Sequence, residues 1–392
     1  GDATSAKNYR PVSLLPIVSR ILEYFVKQQL TNFLSRHCLL PPSQFAYRKG
    51  HSTEVALILA TNRWLLAKSE RKHTGIVMVD MSKAFDRVDH RQLIQILFEF
   101  GLGGVVLQWF CSYLSERQQC VKIKDQISTP VPCSRGVPQG SVLGPLLFVL
   151  YISDIASVLP HEVFNPEFAD DIVVDYSDRD PAVVCAVLTT AVTNLSSWLE
   201  DKGLLLNSAK TQVMFIRPRG AFDAAPSLVT CNNSVLQVTH VAKYLGVLID
   251  DQLTWAPHIE FLAKKLAATT GQLWRHGRAL SLKARRMWYM SMILSHLCYA
   301  SNCFFPALSR SLLNCLVKLH KSGIRAVFQA PRRTATAPLL AKLSMPSLHQ
   351  VLLQKLLVFV FRSIHGSASS LFQDYFVLLA QPQIPLADRI VT

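Results

Sequence analysis

Apolar residues recur at helical spacing between positions 184 and 199, where Val184, Val187, Leu188, Ala191, Val192, Leu195, Trp198 and Leu199 fall on one face. Asp180 is placed to cap this predicted helix, Pro181 takes its first position and Gly203 follows its end. The stripe is a core face. Residues 16–36 and 53–69 also read as helices, flanking a loop at Arg48-Lys49-Gly50. Short apolar runs at 75–80, 163–168, 171–175, 212–216 and 243–249 have strand length and alternate with helices. That alternation predicts an α+β unit, followed from residue 256 onward by a separate, mostly helical one. Gly220 to Pro226 is the most loop-like stretch, and no internal repeat or low-complexity tract interrupts the pattern.

Composition narrows the class. Half of the 392 residues are apolar, which argues against extensive disorder and is enough for two or three subdomains around a large core. The nine cysteines (38, 111, 120, 133, 185, 231, 298, 303 and 315) show neither CxxC pairs nor zinc-ligand spacing, as expected of a reduced intracellular protein whose thiols act as small hydrophobes. Asp2, Lys7 and Arg10 precede any apolar run, so no secretory signal is expected. The uncharged window Met287 to Ser309 contains His296, Asn302 and Pro306, and the run Val142 to Pro160 is broken by Gly144, Pro145 and Asp154. Both read as buried helices rather than membrane spans.

Charge is unevenly placed. Residues 1–254 hold 24 Lys/Arg and 23 Asp/Glu, and residues 255–392 hold 17 and 3, so 14 of the net 15 positive charges lie in the last third. Lys264, Lys265, Arg275, Arg278, Lys283, Arg285 and Arg286 fall on predicted helices there. Such a surface suits a polyanion such as a nucleic-acid backbone.

The candidate chemistry is acidic. Asp80 closes the run Gly75 to Val79, and Asp170-Asp171 sit at the tip of a predicted hairpin between apolar strands. Three carboxylates brought to neighbouring strand ends repel one another unless cations neutralise them. Oxygen-only ligands next to a phosphate substrate suit Mg²⁺. Between the two acidic clusters, Arg135 to Ser141 is a Gly/Pro-punctuated turn that leads into the apolar run Val142 to Ile152. Its glycines allow a nucleotide or template base to lie against the main chain.

Seven blocks in order carry a family resemblance: Asn8 to Pro11, Gln44 to Arg48, Val79 to Asp86, Gly136 to Gly144, Phe168 to Asp171, Leu206-Asn207 with Lys210-Thr211, and Tyr244 to Val247. Over about residues 5 to 335 the chain resembles the reverse transcriptase of non-LTR (LINE-type) retrotransposons. The resemblance implies a right-hand polymerase with fingers (1–75), palm (76–240), a primer-grip hairpin (241–255), a helical thumb (256–340) and a C-terminal helical extension (341–392). The implied activity is RNA-directed DNA polymerisation from dNTPs on an RNA template, primed by DNA or a nicked target-DNA end. The expected setting is the nucleus or cytoplasm, as a ribonucleoprotein. The chain opens on Gly1, as a fragment or processed piece would, and nothing in it corresponds to the endonuclease domain that commonly precedes the polymerase in the family.

The resemblance also implies roles. Asp80 and Asp170 would ligate two Mg²⁺ ions, for which Mn²⁺ could substitute, with Asp171 beside them. Arg48 and Lys49 would contact the triphosphate; Phe85 would exclude a 2′-hydroxyl; Gln139 and Gly140 would meet the nucleotide. Lys210 would protonate the leaving pyrophosphate. Tyr244, Leu245 and Gly246 would position the primer, and Lys264, Lys265, Arg285 and Arg286 the primer-template duplex. The chain departs from the family at Ala46, where glycine is usual, and around Tyr299 to Asn302, where the thumb usually carries a Tyr-Gly pair. Two other readings stay open: a truncated, catalytically silent nucleic-acid-binding relic, and an RNA-directed RNA polymerase that shares the palm.

Overall fold

The computed structural model describes residues 12–218, 228–232, 234–365 and 372. The Asn8 to Pro11 block, the loop at Gly220 to Pro226 and the extension after residue 365, Phe372 apart, lie outside the described residues. Two compact units form. One takes the described residues up to Arg48 together with Leu59–Leu253; the other takes Lys49–Ile58 and those from Thr254 onward.

The first unit is α+β and is built on a five-stranded sheet. His73–Val79 is the central strand, flanked antiparallel by Asp171–Asp178 on one side and Gln212–Ile216 on the other. Glu167–Phe168 pairs antiparallel with the outer edge of Asp171–Asp178, and Gln237–Val238 pairs parallel with Gln212–Ile216. The central strand is mostly buried, which explains a near-continuous apolar run rather than an alternating one.

Helix Pro181–Asp201 covers this sheet. Asp180 caps it by accepting the Ala182 N–H at 2.8 Å, and Val184, Leu188, Ala191, Val192, Leu195, Trp198 and Leu199 are all buried. Its length and composition would allow a membrane crossing, yet half of its most apolar window is packed inside the protein. Close approach depends on Gly75, where a Cβ would collide with the side chains of Leu188 and Val184. The apolar run after the glycine turn forms helix Gly144–Tyr151, and every residue in it but Pro145 is buried.

Two expected strands differ. Of 163–168 only Glu167–Phe168 is strand, with a lone bridge from Phe164 to Asp175; Pro166 has no N–H to give a ladder. The run 243–249 is a hairpin of Val241–Tyr244 and Val247–Asp250, because Leu245 and Gly246 both take positive φ, 43° and 84°. That is the two-residue turn whose twist matches paired strands.

The second unit is helical. Arg310–Phe328 packs along Ala256–His276 and Leu282–Tyr289, and Leu348–Ile364 follows. Lys355 on that last helix donates to both carboxylate oxygens of Glu54, to the Cys298 carbonyl and to Ser301. This ties Lys49–Ile58 into the unit.

Candidate active site

The pairing Val79↔Ile172 puts Asp80 and Asp171 at the same end of adjoining strands. Phe168↔Asp171 closes the hairpin, leaving Ala169 and Asp170 as its two-residue turn. Asp80 and Asp170 are half-buried and Asp171 is exposed. Asn207 donates from Nδ2 to the Asp80 carboxylate at 3.0 Å, and its main-chain N–H reaches the Asp80 carbonyl at 2.8 Å. The Asp80 N–H donates to Thr211 Oγ1 at 3.2 Å. Segment 205–211 therefore lies along the strand end, and it carries Lys210 exposed on its turn. Sequence reading selected Lys210 from this block and missed Asn207 as a site residue, although the motif contains it.

The donors here are all hard oxygens, partly open to solvent, and suit a divalent cation. Among the described residues, no three acidic, imidazole or thiol side chains are gathered closely enough to hold an ion by themselves.

The glycine loop is held from three sides. Gly136 has φ +88°, and a Cβ there would lie 2.8–2.9 Å from the Asp86 backbone, so the close approach requires glycine. The Gly136 and Val137 N–H groups donate to the Val88 and Phe85 carbonyls. Gln139 Nε2 donates to the Asp86 carboxylate at 2.8 Å, while the Gln139 carbonyl accepts from the Ser13 N–H at 2.7 Å. Gly140 also takes positive φ, +102°. Phe85 is half-buried and stacks on Phe148 with ring centroids 4.6 Å apart.

Glu23, only 1% exposed, was not visible as a site residue. Its carboxylate accepts the Val142 and Leu143 N–H groups at 2.6 and 3.3 Å and the Tyr113 hydroxyl at 3.0 Å. An acid set between Ile21-Leu22 and Tyr24-Phe25-Val26 on a helix was the available signal.

The loop Gln44 to Arg48 meets the acidic hairpin. Arg48 is half-buried, and its Nη1 donates to the Pro41 carbonyl at 2.8 Å; burial lowers its pKa. Tyr47 lies under Lys27 and has a raised hydroxyl pKa, from burial first and then from the charge of Asp170. Lys49 is exposed and belongs to the second unit. Ala46 is buried with its N–H bound to Gln44, and its φ is not positive, so the methyl group fits where the family usually has glycine. Ala300, at the second family departure, does take a left-handed φ of +50°.

Leu245 and Gly246 form the tip of their hairpin. Tyr244 is buried, its hydroxyl has no hydrogen-bond partner among the described residues, and burial pushes its pKa far up, with the charges of Asp171, Asp175 and Glu167 adding to the effect. In the second unit, Lys264 is exposed and pairs with Glu260 one turn away at 2.8 Å. Lys265 and Arg286 are exposed. Arg285 is half-buried and donates to the Gly277 carbonyl, so it is partly committed within its own fold.

Residues 2–249 match the family described as reverse transcriptase (RNA-dependent DNA polymerase). The chain is 30% identical over 340 residues to the probable RNA-directed DNA polymerase from transposon BS of Drosophila melanogaster, an alignment covering 83% of this chain and 37% of that protein. It is 28% identical over 358 residues to the RNA-directed DNA polymerase from mobile element jockey of the same species, covering 88% and 38%. It thus spans under two fifths of the length of these relatives. A solved structure of telomerase from Candida albicans, in complex with a TWJ fragment of telomeric RNA, aligns over 80% of this chain and 56% of that chain, with 16% identity and a TM-score of 0.46. Since the family match covers well over half of its residues and takes in both the acidic strand ends and the glycine turn, the chain belongs to the reverse transcriptases, in the non-LTR retrotransposon group.

Proposed function

We propose that this chain is the polymerising part of a non-LTR retrotransposon protein, an RNA-directed DNA polymerase acting inside the cell as a ribonucleoprotein. It would extend a DNA primer or a nicked target-DNA end on an RNA template, using dNTPs. The observation that carries this reading is the register Val79↔Ile172, which sets Asp80 beside Asp171 with Asp170 in the adjoining turn.

Two Mg²⁺ ions, with Mn²⁺ as a substitute, would when bound lower the pKa of the primer 3′-hydroxyl and offset charge on the triphosphate. Asp80 and Asp170 would hold them, with Asp171 alongside, and Asn207 keeps the Asp80 carboxylate from swinging away. Arg48 and Lys49 would grip the triphosphate, as a planar guanidinium and a mobile ammonium can. Phe85, braced by Phe148, would stand against the sugar. Gln139 is held by Asp86 in one orientation and Gly140 admits close backbone approach, so both would line the nucleotide. Lys210 is exposed on its turn, can reorient, and would give a proton to the leaving pyrophosphate. The Tyr244 to Gly246 hairpin would seat the primer, and Lys264, Lys265 and Arg286 would meet the duplex backbone.

Primer extension by the purified chain, with RNA template, DNA primer, Mg²⁺ and dNTPs, beside Asp170→Asn, is the direct test. Extension by the native chain alone supports the reading. Failure of both, with primer-template still bound, would leave a nucleic-acid-binding relic.

A further inference from the structure

We infer that Gln44 is a positioning residue for Asp170, acting through the main chain of Ala169 and held in turn by Glu167; this rests on the metal-site reading above. Gln44 is completely buried. Its Oε1 accepts two main-chain N–H groups, from Ala46 at 3.0 Å and from Ala169 at 3.1 Å. Its Nε2 donates to the Glu167 carboxylate at 3.2 Å. One amide therefore joins the loop that carries Tyr47 and Arg48 to the turn that carries Asp170.

Ala169 needs such a hold. It has φ +56°, a left-handed conformation that residues with a Cβ rarely take, and it directly precedes Asp170. Without an acceptor for its N–H, the turn loses the bond that opposes relaxation toward ordinary φ, and the direction of the Asp170 carboxylate relaxes with it. The surrounding main chain reinforces the link: the Phe45 N–H donates to the Glu167 carbonyl at 2.8 Å, and the Glu167 N–H to the Ser43 carbonyl at 2.9 Å. Glu167 cannot rotate away, because Ser43 Oγ and Asn165 Nδ2 also bind its carboxyl at 2.8 and 2.9 Å.

The geometry makes a reciprocal swap informative. Gln44→Glu keeps an acceptor for both N–H groups but removes the amide donor, so two carboxylates face each other once pH rises above the raised pKa of Glu167. Gln44→Glu with Glu167→Gln restores a donor-acceptor pair with its polarity reversed, since the amide would then sit at position 167 and donate to a carboxylate at position 44. A merely space-filling role predicts nothing special about the double variant.

The test uses the full chain and two readouts, hydrogen exchange of segment 168–170 without metal and Mn²⁺ binding by electron paramagnetic resonance, on the native protein, Asp170→Asn, Gln44→Ala, Gln44→Glu and the double variant. Gln44→Ala is expected to speed exchange of the Ala169 amide about tenfold, as the loss of one buried hydrogen bond implies, and to weaken Mn²⁺ binding by a similar factor. At pH 8.5, above the raised pKa of Glu167, the double variant is expected to recover both to within about twofold, against a background where Gln44→Glu alone is impaired. Native exchange and Mn²⁺ affinity in a folded Gln44→Ala protein would overturn the proposal, as would a double variant no better than Gln44→Glu. If the native chain shows no Mn²⁺ binding that Asp170→Asn removes, the metal-site reading itself fails and takes the proposal with it.

Discussion

Asn207 holds Asp80 twice, through its side-chain amide on the carboxylate at 3.0 Å and through its main-chain N–H on the carbonyl at 2.8 Å. A bond to a charged carboxylate contributes about 1.5–3 kcal/mol. Asn207→Ala should therefore cut primer extension roughly 10- to 100-fold, by the usual factor of ten per 1.4 kcal/mol, and excess Mg²⁺ should recover part of the loss. Asn207→Asp adds a like charge beside Asp80 and should be worse at low Mg²⁺ than Asn207→Ala. Extension rates measured across a Mg²⁺ titration decide it; identical curves for native and variant would remove Asn207 from the site.

Glu23 anchors the N-terminal side of helix Gly144–Tyr151 by accepting the Val142 and Leu143 N–H groups. Glu23→Ala leaves two main-chain donors and the Tyr113 hydroxyl without that acceptor, at an expected cost of about 2–4 kcal/mol. Glu23→Gln should cost much less, because the amide oxygen still accepts the two N–H groups and the Tyr113 hydroxyl can turn to accept from the new NH₂. Urea unfolding of the three proteins separates these cases, and equal midpoints for Ala and Gln would rule out the anchoring role.

Local signals in the chain reach as far as local structure. The capped helix after Asp180 and the acidic hairpin tip are legible because periodicity, capping and turn residues act within a few positions. The links that give the site its shape are not local: Gln44 to Glu167 spans 123 positions and Asn207 to Asp80 spans 127. A side-chain pair of that separation leaves no period to read. The strand expected over 163–168 falls short for the opposite reason, since Pro166 interrupts an apolar run whose composition alone suits a strand.

Phe85 presses one face on Phe148 and is only half-buried, so it packs locally and still has ring to offer a ligand. If it bars the 2′-hydroxyl, Phe85→Ala should lower the ratio of kcat/KM for dNTP over rNTP by at least about tenfold, the worth of ~1.4 kcal/mol in a transition state. Phe148→Ala supplies the control: it removes the stacking partner, costs about 3 kcal/mol of stability as a core truncation, and should alter selectivity less than Phe85→Ala. Equal selectivity in Phe85→Ala and native protein would return Phe85 to a packing role.

The basic helices divide by how each cation is spent. Lys264 pairs with an exposed Glu260, a surface ion pair that contributes little, and Lys265 and Arg286 are exposed. If these meet the duplex, Lys264→Ala with Lys265→Ala should flatten the plot of log affinity against log salt by about one to two units, roughly 0.9 for each phosphate no longer neutralised. Arg286→Ala should remove about one. Arg285 donates to the Gly277 carbonyl, so Arg285→Ala should lower the melting temperature and leave most of the slope intact. Filter binding at several salt concentrations measures the slopes; a slope that follows Arg285 and ignores the other three would invert this assignment.

Glu167 makes stability depend on pH with a definite sign. Burial raises its carboxyl pKa from the ordinary 4.5 to about 8, against the lowering effect of bonds from Ser43 and Gln44. The folded protein thus holds a proton that the unfolded chain gives up, and stability from this group is complete below about 4.5 and is lost as pH climbs toward 8. Protonation is tolerated because the Ser43 hydroxyl, which donates to the carboxylate, can turn and accept from the acid form. Asp175 acts in the same direction over a lower window, since burial raises it from 3.8 to about 6 despite its pairing with Arg63. Glu167→Gln carries no titrating group there, so its melting temperature should gain on that of the native protein as pH rises from 5 to 8 and hold a constant difference above that. Melting curves at half-unit pH steps give the comparison, and native and variant curves that stay parallel from pH 5 to 9 would mean that Glu167 is already ionised in the folded protein at pH 5.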